Sequence, residues 1–305
     1  MSAWNIGQTS ATQRLLDGAT IQCLHAGPYL ATIRITRAFQ DSTISMDVSL
    51  AADSARLDFQ LSIDWFERGR AEVGTPSLWI RFAHSINEST LTAECPNGTL
   101  TRETNGAVFV AQRWVDVTGS HTNASSPVGL TLLTESLYGY RVGDNCVMLG
   151  LLRSSYHPDP VPEMGTHTFR FSLLPHDGPW SASSATREAA NINLPFSVIN
   201  TTVHDGPFAP RQEMVKLVTP NICLGALKIA EDDDAMLIRL YEIDGIETVA
   251  RVAFAESILP PHAIAATVDI LEQPERTNTA AIINGELQVP VKAHGMVTVK
   301  ISNHA

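Results

Sequence analysis

The sequence predicts an all-β protein, a large antiparallel sandwich followed by a small β-sandwich. Three observations predict it: strong period-two alternation, many short strand candidates separated by turns, and one credible helix. The clearest signal lines Ile44, Met46, Val48 and Leu50 along one strand and Leu57, Phe59, Leu61, Ile63 and Trp65 along the next. The polar turn 51–54 joins them, so the pair reads as an antiparallel hairpin.

In chain order, residues 1–20 are polar and weakly patterned, an odd start for an independent domain. Alternation begins directly afterwards, with Ile33 and Ile35 on one face and Arg34 and Thr36 on the other. Beyond the hairpin, strands are predicted at 78–82, 107–117, 128–134, 146–152 and 168–174. The run VMLGLLR reads as a strand buried on both faces, whereas HTFRFSLL alternates. Between them Pro158, Pro160 and Pro162 withhold N–H donors, so no ladder passes through SSYHPDPVPEMG. A helix is predicted over 185–191, capped by the serines before it. The Pro-, Gly- and polar-rich stretch after it places a domain boundary near residue 200, giving a large domain over 1–199 and a small one over 200–305. The second carries strand candidates at 224–229, 236–243, 248–254, 267–269 and 297–301.

Composition narrows the function. A formal charge of −11 on 305 residues leaves no basic stripe for nucleic acid. No apolar run approaches the ~20 residues that span a bilayer, and the first residues lack the pattern of a secretory signal. Cys23, Cys95, Cys146 and Cys223 are far apart, as expected of reduced thiols in a cytoplasmic protein. The four Asn-x-Ser/Thr sites, at Asn87, Asn97, Asn123 and Asn200, are then chance matches.

Catalytic chemistry is not visible in the pattern. His157-Pro-Asp159 and His204-Asp205 invite a metal reading, but the ten histidines show no H-x-H or H-x-x-x-H spacing. The acidic run 231–234 lacks the spaced donors of a calcium loop and reads as a solvated turn. No G-x-S-x-G, phosphate loop or Ser/His/Asp cluster is present. What the proline loop does offer is Arg153, Tyr156, His157 and Asp159, side chains able to grip a polyhydroxylated ligand.

Ordered blocks then make the reading specific. Gln112-Arg113-Trp114-Val115-Asp116, Tyr138-Gly139-Tyr140, Leu151-Leu152-Arg153-Ser154, Pro158-Asp159-Pro160, Gly165-Thr166-His167 and Leu174-Pro175-His176 follow one another. Upstream stand FQDSTISMDVSL and ARLDFQLSIDWFER; downstream, REAANINLP and ALKIAEDDDAMLIRLYEIDG. Together, over about residues 20–300, they resemble the C-terminal β-region of glycoside hydrolase family 38, the α-mannosidases. The resemblance implies a mutarotase-like supersandwich followed by smaller sandwiches, with loops that complete a sugar cleft for α-mannoside glycans. It also implies that zinc, nucleophile and acid belong to a separate catalytic domain, which is this chain's expected partner. Nothing in the chain corresponds to that domain, so no catalytic residue, metal ligand or cofactor is expected here.

Arg153 is the leading sugar-binding candidate, with a structural clamp to Asp159 as the equal alternative. Tyr156, Asp159 and Tyr138 follow. Tyr156 and Asp159 also fit simple loop stiffening, and Tyr138 and Tyr140 fit capping a hairpin. Trp114 reads as a core aromatic rather than a sugar platform. Two further functions remain open, a stand-alone carbohydrate-binding module and a mutarotase-type epimerase. The epimerase would draw on His84, His167 or His176 with Glu135 or Glu163. Apolar surface meant for a partner domain would also permit homo-oligomers of the isolated chain.

Overall fold

The structure, a computed structural model, describes residues 6–206, 209–259 and 262–303. The chain divides into two compact units, the first Met1–Glu94 with Leu100–Phe196, the second Cys95–Thr99 with Ser197–Ala305.

The first unit is a sandwich of a nine-stranded and a four-stranded sheet. Its strands are β1 (Thr20–Ala26), β2 (Leu30–Phe39), β3 (Ser42–Ala51), β4 (Leu57–Trp65), β5 (Ser77–Ala83), β6 (Asn87–Cys95), β7 (Gly98–Arg102), β8 (Val108–Val110), β9 (Trp114–Ser120), β10 (Val128–Thr134), β11 (Gly139–Gly143), β12 (Cys146–Arg153) and β13 (Gly165–Asp177). The large sheet runs β1-β2-β3-β4-β13-β10-β9-β6-β7 and the small one β5-β12-β11-β8. Alternation dictates the pairing. Ile21, Ile35, Met46 and Leu61 fall in one cross-strand row, and Cys23, Ile33, Val48 and Phe59 in the next. That apolar face packs on Tyr140, Val142, Val147 and Leu149 of the small sheet to form the main core. Towards the β1 edge the same rows emerge into water, with Ile21 and Ile33 exposed. The sheet closes around β13, which pairs with β4 although Thr166 and its hydrogen-bond partner Asp64 lie 102 residues apart in sequence.

Several expectations shift. The single strand predicted over 107–117 is two strands in different sheets, β8 in the small one and β9 in the large one. The break falls at Gln112 and Arg113, because the buried Glu94 carboxylate accepts the Arg113 backbone N–H at 2.9 Å and binds its guanidinium at 2.5 and 3.0 Å. Tyr138 and Tyr140 do not flank a turn, since Gly139 opens β11. The helix α1 (Ala185–Asn193) is present, but Ser184 does not cap it with its side chain. Ser184 adopts a left-handed conformation (φ 57°, ψ 26°) as it leaves the preceding 3-10 turn, and α1 is held instead by packing. Its Ala185 and Ala189 bury against Trp114, Leu133 and Leu174 on the outer face of the large sheet.

The second unit is a small sandwich of two four-stranded antiparallel sheets. Its strands are β14 (Val215–Leu217), β15 (Ile222–Ile229), β16 (Met236–Glu242), β17 (Thr248–Phe254), β18 (Ala263–Val268), β19 (Ala281–Ile283), β20 (Glu286–Val291) and β21 (Met296–Asn303). One sheet runs β14-β17-β20-β19, the other β15-β16-β21-β18. Ile238, Leu240, Val252, Leu287, Val289 and Val299 are fully buried between them.

Candidate functional site

Arg153 ends β12, opposite Ser77 at the start of β5. The next residue is its anchor. Ser154 is buried, donates its backbone N–H to the Pro76 carbonyl at 2.9 Å and holds the Trp65 indole N–H on its Oγ at 2.7 Å. Gly69 lies so close that a methyl group there would stand 2.0 Å from the Ser154 carbonyl oxygen. Arg153 thus leaves a point fixed on three sides. Partial burial pulls its guanidinium below the ordinary arginine value.

The proline loop is stiff and tied down at both ends. The Tyr156 and His157 rings pack with centroids 5.1 Å apart, and the His157–Pro158 bond is cis. Asp159 turns inward on its own loop, accepting the Val161 N–H at 2.9 Å. Arg68 donates to the Pro160 carbonyl at 3.2 Å, and the His167 ring bonds the Glu163 carbonyl at 2.7 Å. Tyr156 is half-buried, and Asp159 is exposed in the loop. Tyr138, 55% exposed, precedes β11 and belongs to the same end of the small sheet as Arg153. Tyr140 is core: its hydroxyl meets Thr134 Oγ1 at 2.7 Å and the Gln112 and Leu137 carbonyls at 3.2 Å, and burial pushes its pKa up. Trp114 is core as well, packed on Trp180 at 5.3 Å. Sequence reasoning missed the anchor, because Trp65 reads only as a core residue and Gly69 as a loop residue; its contact with Ser154 is long-range.

Among the described residues no group of three or more His, Cys, Asp or Glu side chains comes together to hold a metal. These residues thus offer no assembled donor set for a zinc ion. No helix of the described residues is long and apolar enough to cross a membrane.

The histidines named for an epimerase are each engaged elsewhere. His84 Nδ1 accepts the Ile86 N–H at 3.3 Å, and burial followed by the charge of Arg81 lowers its pKa. His176 lies on the outer face of the large sheet, its Nε2 2.8 Å from a fully buried Asp116. Asp116 also accepts from Thr131 at 2.6 Å and Thr118 at 2.5 Å. Burial opposes charge on His176, but the hydrogen bond and charge of Asp116, helped by Asp177, outweigh it and raise the pKa. A raised histidine pKa adds stability that is complete below the unfolded value, about 6.5, and lost as pH rises through the folded value. The His176→Gln variant is accordingly expected to show a smaller stability difference between pH 5.5 and 8.5 than the parent. Urea midpoints of the two proteins at both pH values measure it; an unchanged difference would place the titration elsewhere.

Comparison with known proteins gives this geometry its context. Residues 1–161 match the glycosyl hydrolases family 38 C-terminal domain, and residues 221–299 match the glycosyl hydrolases family 38 C-terminal beta sandwich domain. Alpha-mannosidase G of Dictyostelium discoideum is 26% identical over 266 residues, covering 81% of this chain and 22% of its own length. Alpha-mannosidase 2C1 of Mus musculus is 26% identical over 262 residues, covering 82% of this chain and 23% of its own length. The crystal structure of an alpha-mannosidase from Enterococcus faecalis V583 superposes with a TM-score of 0.73 at 18% identity, over 92% of this chain and 35% of that one. The chain thus spans less than a quarter of the length of these curated relatives. Both sandwiches, in the same order, place it in glycosyl hydrolase family 38, to whose C-terminal β-region this chain belongs.

Proposed function

We propose that the chain serves as the non-catalytic β-region of an α-mannosidase, carrying Arg153 and its proline loop into the sugar cleft of a catalytic domain. The observation that supports this reading best is the anchor behind Arg153, where Trp65, Pro76 and Gly69 fix Ser154. A guanidinium on so rigid a base is preorganised to donate paired hydrogen bonds to sugar hydroxyls. Tyr156 and Tyr138 are proposed to line the same wall, with Asp159 shaping the loop. Zinc, nucleophile and acid are assigned to the catalytic domain. The four free thiols fit a reducing compartment, and we place the protein in the cytoplasm. A second copy is proposed as a partner of the isolated chain alone, through the uncovered apolar rows at Ile21 and Ile33.

Turnover tests this reading. The 305-residue chain is expected to leave p-nitrophenyl α-mannoside intact with or without zinc. Joined to a family 38 catalytic domain, it is expected to support hydrolysis that Arg153→Ala lowers at least tenfold in kcat/KM, about 1.4 kcal/mol of transition-state binding. Hydrolysis by the chain alone, or an Arg153→Ala fusion as active as its parent, would overturn it.

A further inference from the structure

The small sheet has one face in the core and one that is not covered by α1, which packs on β9 and β10 of the large sheet. Leu78, Ile80, Phe82, Phe109, Tyr140, Val147 and Leu149 point into the core, so their neighbours along each strand point away from it. Register sorts those outward residues into rows. Arg81, Met148, Arg141 and Val108 form one row across all four strands. In the next, Trp79 pairs with Gly150 and Val110 with Gly139; continuing the Tyr140–Leu149 register by one residue sets the two glycines side by side. Arg153, opposite Ser77, stands on the other side of that row.

Two features of this face point to a ligand. The first is the lie of Trp79. A methyl group built on Gly150 would stand 3.2, 3.4 and 3.4 Å from Cη2, Cζ2 and Cζ3 of its ring. Near-equal distances to three consecutive ring atoms mean that the ring lies face-down over Gly150 rather than edge-on. Beside it, the space above Gly139 is open, with no atom within 4 Å of where a side chain would begin. The result is a flat aromatic shelf next to an empty glycine floor. The second feature is charge. The chain carries −11 overall, yet β5, β8, β11 and β12 hold Arg81, Arg141 and Arg153 and no Asp or Glu. Arg81 and Arg141 are exposed and form no ion pair with any described residue.

An aromatic face attracts the weakly positive C–H groups of a pyranose ring, and guanidinium groups donate to its hydroxyls. We propose that this face is a carbohydrate-contact surface, with the outward face of the Trp79 ring stacking on a hexose beside the open floor at Gly139 while Arg81 and Arg153 hold its hydroxyls. The surface rests on the family reading only for the identity of the sugar, an α-mannoside.

The test follows the Trp79 indole N–H by nuclear magnetic resonance in the 305-residue chain during titration with methyl α-mannoside, the signal being assigned by its loss in Trp79→Phe. A saturable shift is expected, with affinity falling about tenfold in Trp79→Ala. Gly139→Val is the companion variant: it fills open space with a β-branched residue suited to a strand, so it is expected to keep the fold and block the floor. An indole signal that the sugar does not move, or variants that bind as the parent does, would overturn the proposal. Failure of the Arg153 assignment is distinguishable, because it leaves Arg153→Ala without effect while Trp79→Ala and Gly139→Val still weaken binding.

Discussion

Replacing Glu242 by alanine is expected to destabilise the C-terminal sandwich strongly. Its side chain is fully buried at the end of β16, and its carboxylate accepts five hydrogen bonds. Asn221 Nδ2 and the Asp244 N–H reach Oε1 at 2.8 and 2.7 Å; the Gly245, Ile246 and His294 N–H groups reach Oε2 at 2.9, 3.1 and 2.9 Å. One side chain thus closes the β16–β17 turn and the turn before β21. Burial alone would raise its pKa, but the amides of His294, Asp244 and Gly245 and the Asn221 side chain together hold it below the usual glutamate value. Alanine leaves these donors without their acceptor, and removing one partner from a buried charged network costs about 3–5 kcal/mol. At roughly 4–8 °C per kcal/mol for a unit of this size, the melting temperature of the sandwich is expected to fall by about 15 °C or more. Calorimetry measures it, and a fall below about 5 °C would sink the argument. The depressed pKa adds a sign: its stabilisation is present above pH about 4.5 and lost as pH falls through the folded value, so Glu242→Ala flattens the acid limb of the stability curve.

Gly69→Ala is expected to produce the second large effect, in the first unit. A Cβ there would stand 2.0 Å from the Ser154 carbonyl oxygen and 3.3 Å from that of Gly74, both backbone atoms with no flexible end to swing away. The loop must move, pulling Ser154 from Trp65 and Pro76. Overpacking of this kind costs about 1–3 kcal/mol, and the orphaned indole N–H about 1–3 more. A loss near 3 kcal/mol in urea denaturation is expected, together with loss of the Arg153-dependent activity in the fusion. Ser154→Ala separates the parts, since it removes the hydrogen bond without the clash. Equal stability of Gly69→Ala and the parent would show that the contact can relax.

Legibility from sequence followed the range of each signal. The β3–β4 hairpin was plain because its apolar residues alternate without interruption and the turn between them is short. β6 was missed: its buried stretch includes Thr92 and Glu94, and its pairing with β9 shifts register between Asn87 and Thr90. β20 was hidden by Pro290, which argues against a strand; it is tolerated because β19 pairs only as far as Gln288 and leaves that side open. Local pattern did single out the proline loop and Arg153. It had no access to Gly69 behind Ser154 or to Gly150 beneath Trp79, because such contacts join segments far apart in the chain.

The pairing of β4 with β13 has a consequence for how the protein is made. On the ribosome, β1 to β4 emerge and can zip into a half-sheet at once, yet the partner of β4 is about a hundred residues away. At ordinary elongation rates that interval is about 5–20 s, during which the β4 edge and the apolar side chains of Phe59, Leu61, Ile63 and Trp65 stay open to water. The nascent half-sheet is therefore the stretch of this protein most in need of chaperone cover, and slowing translation between β4 and β13 lengthens its exposure.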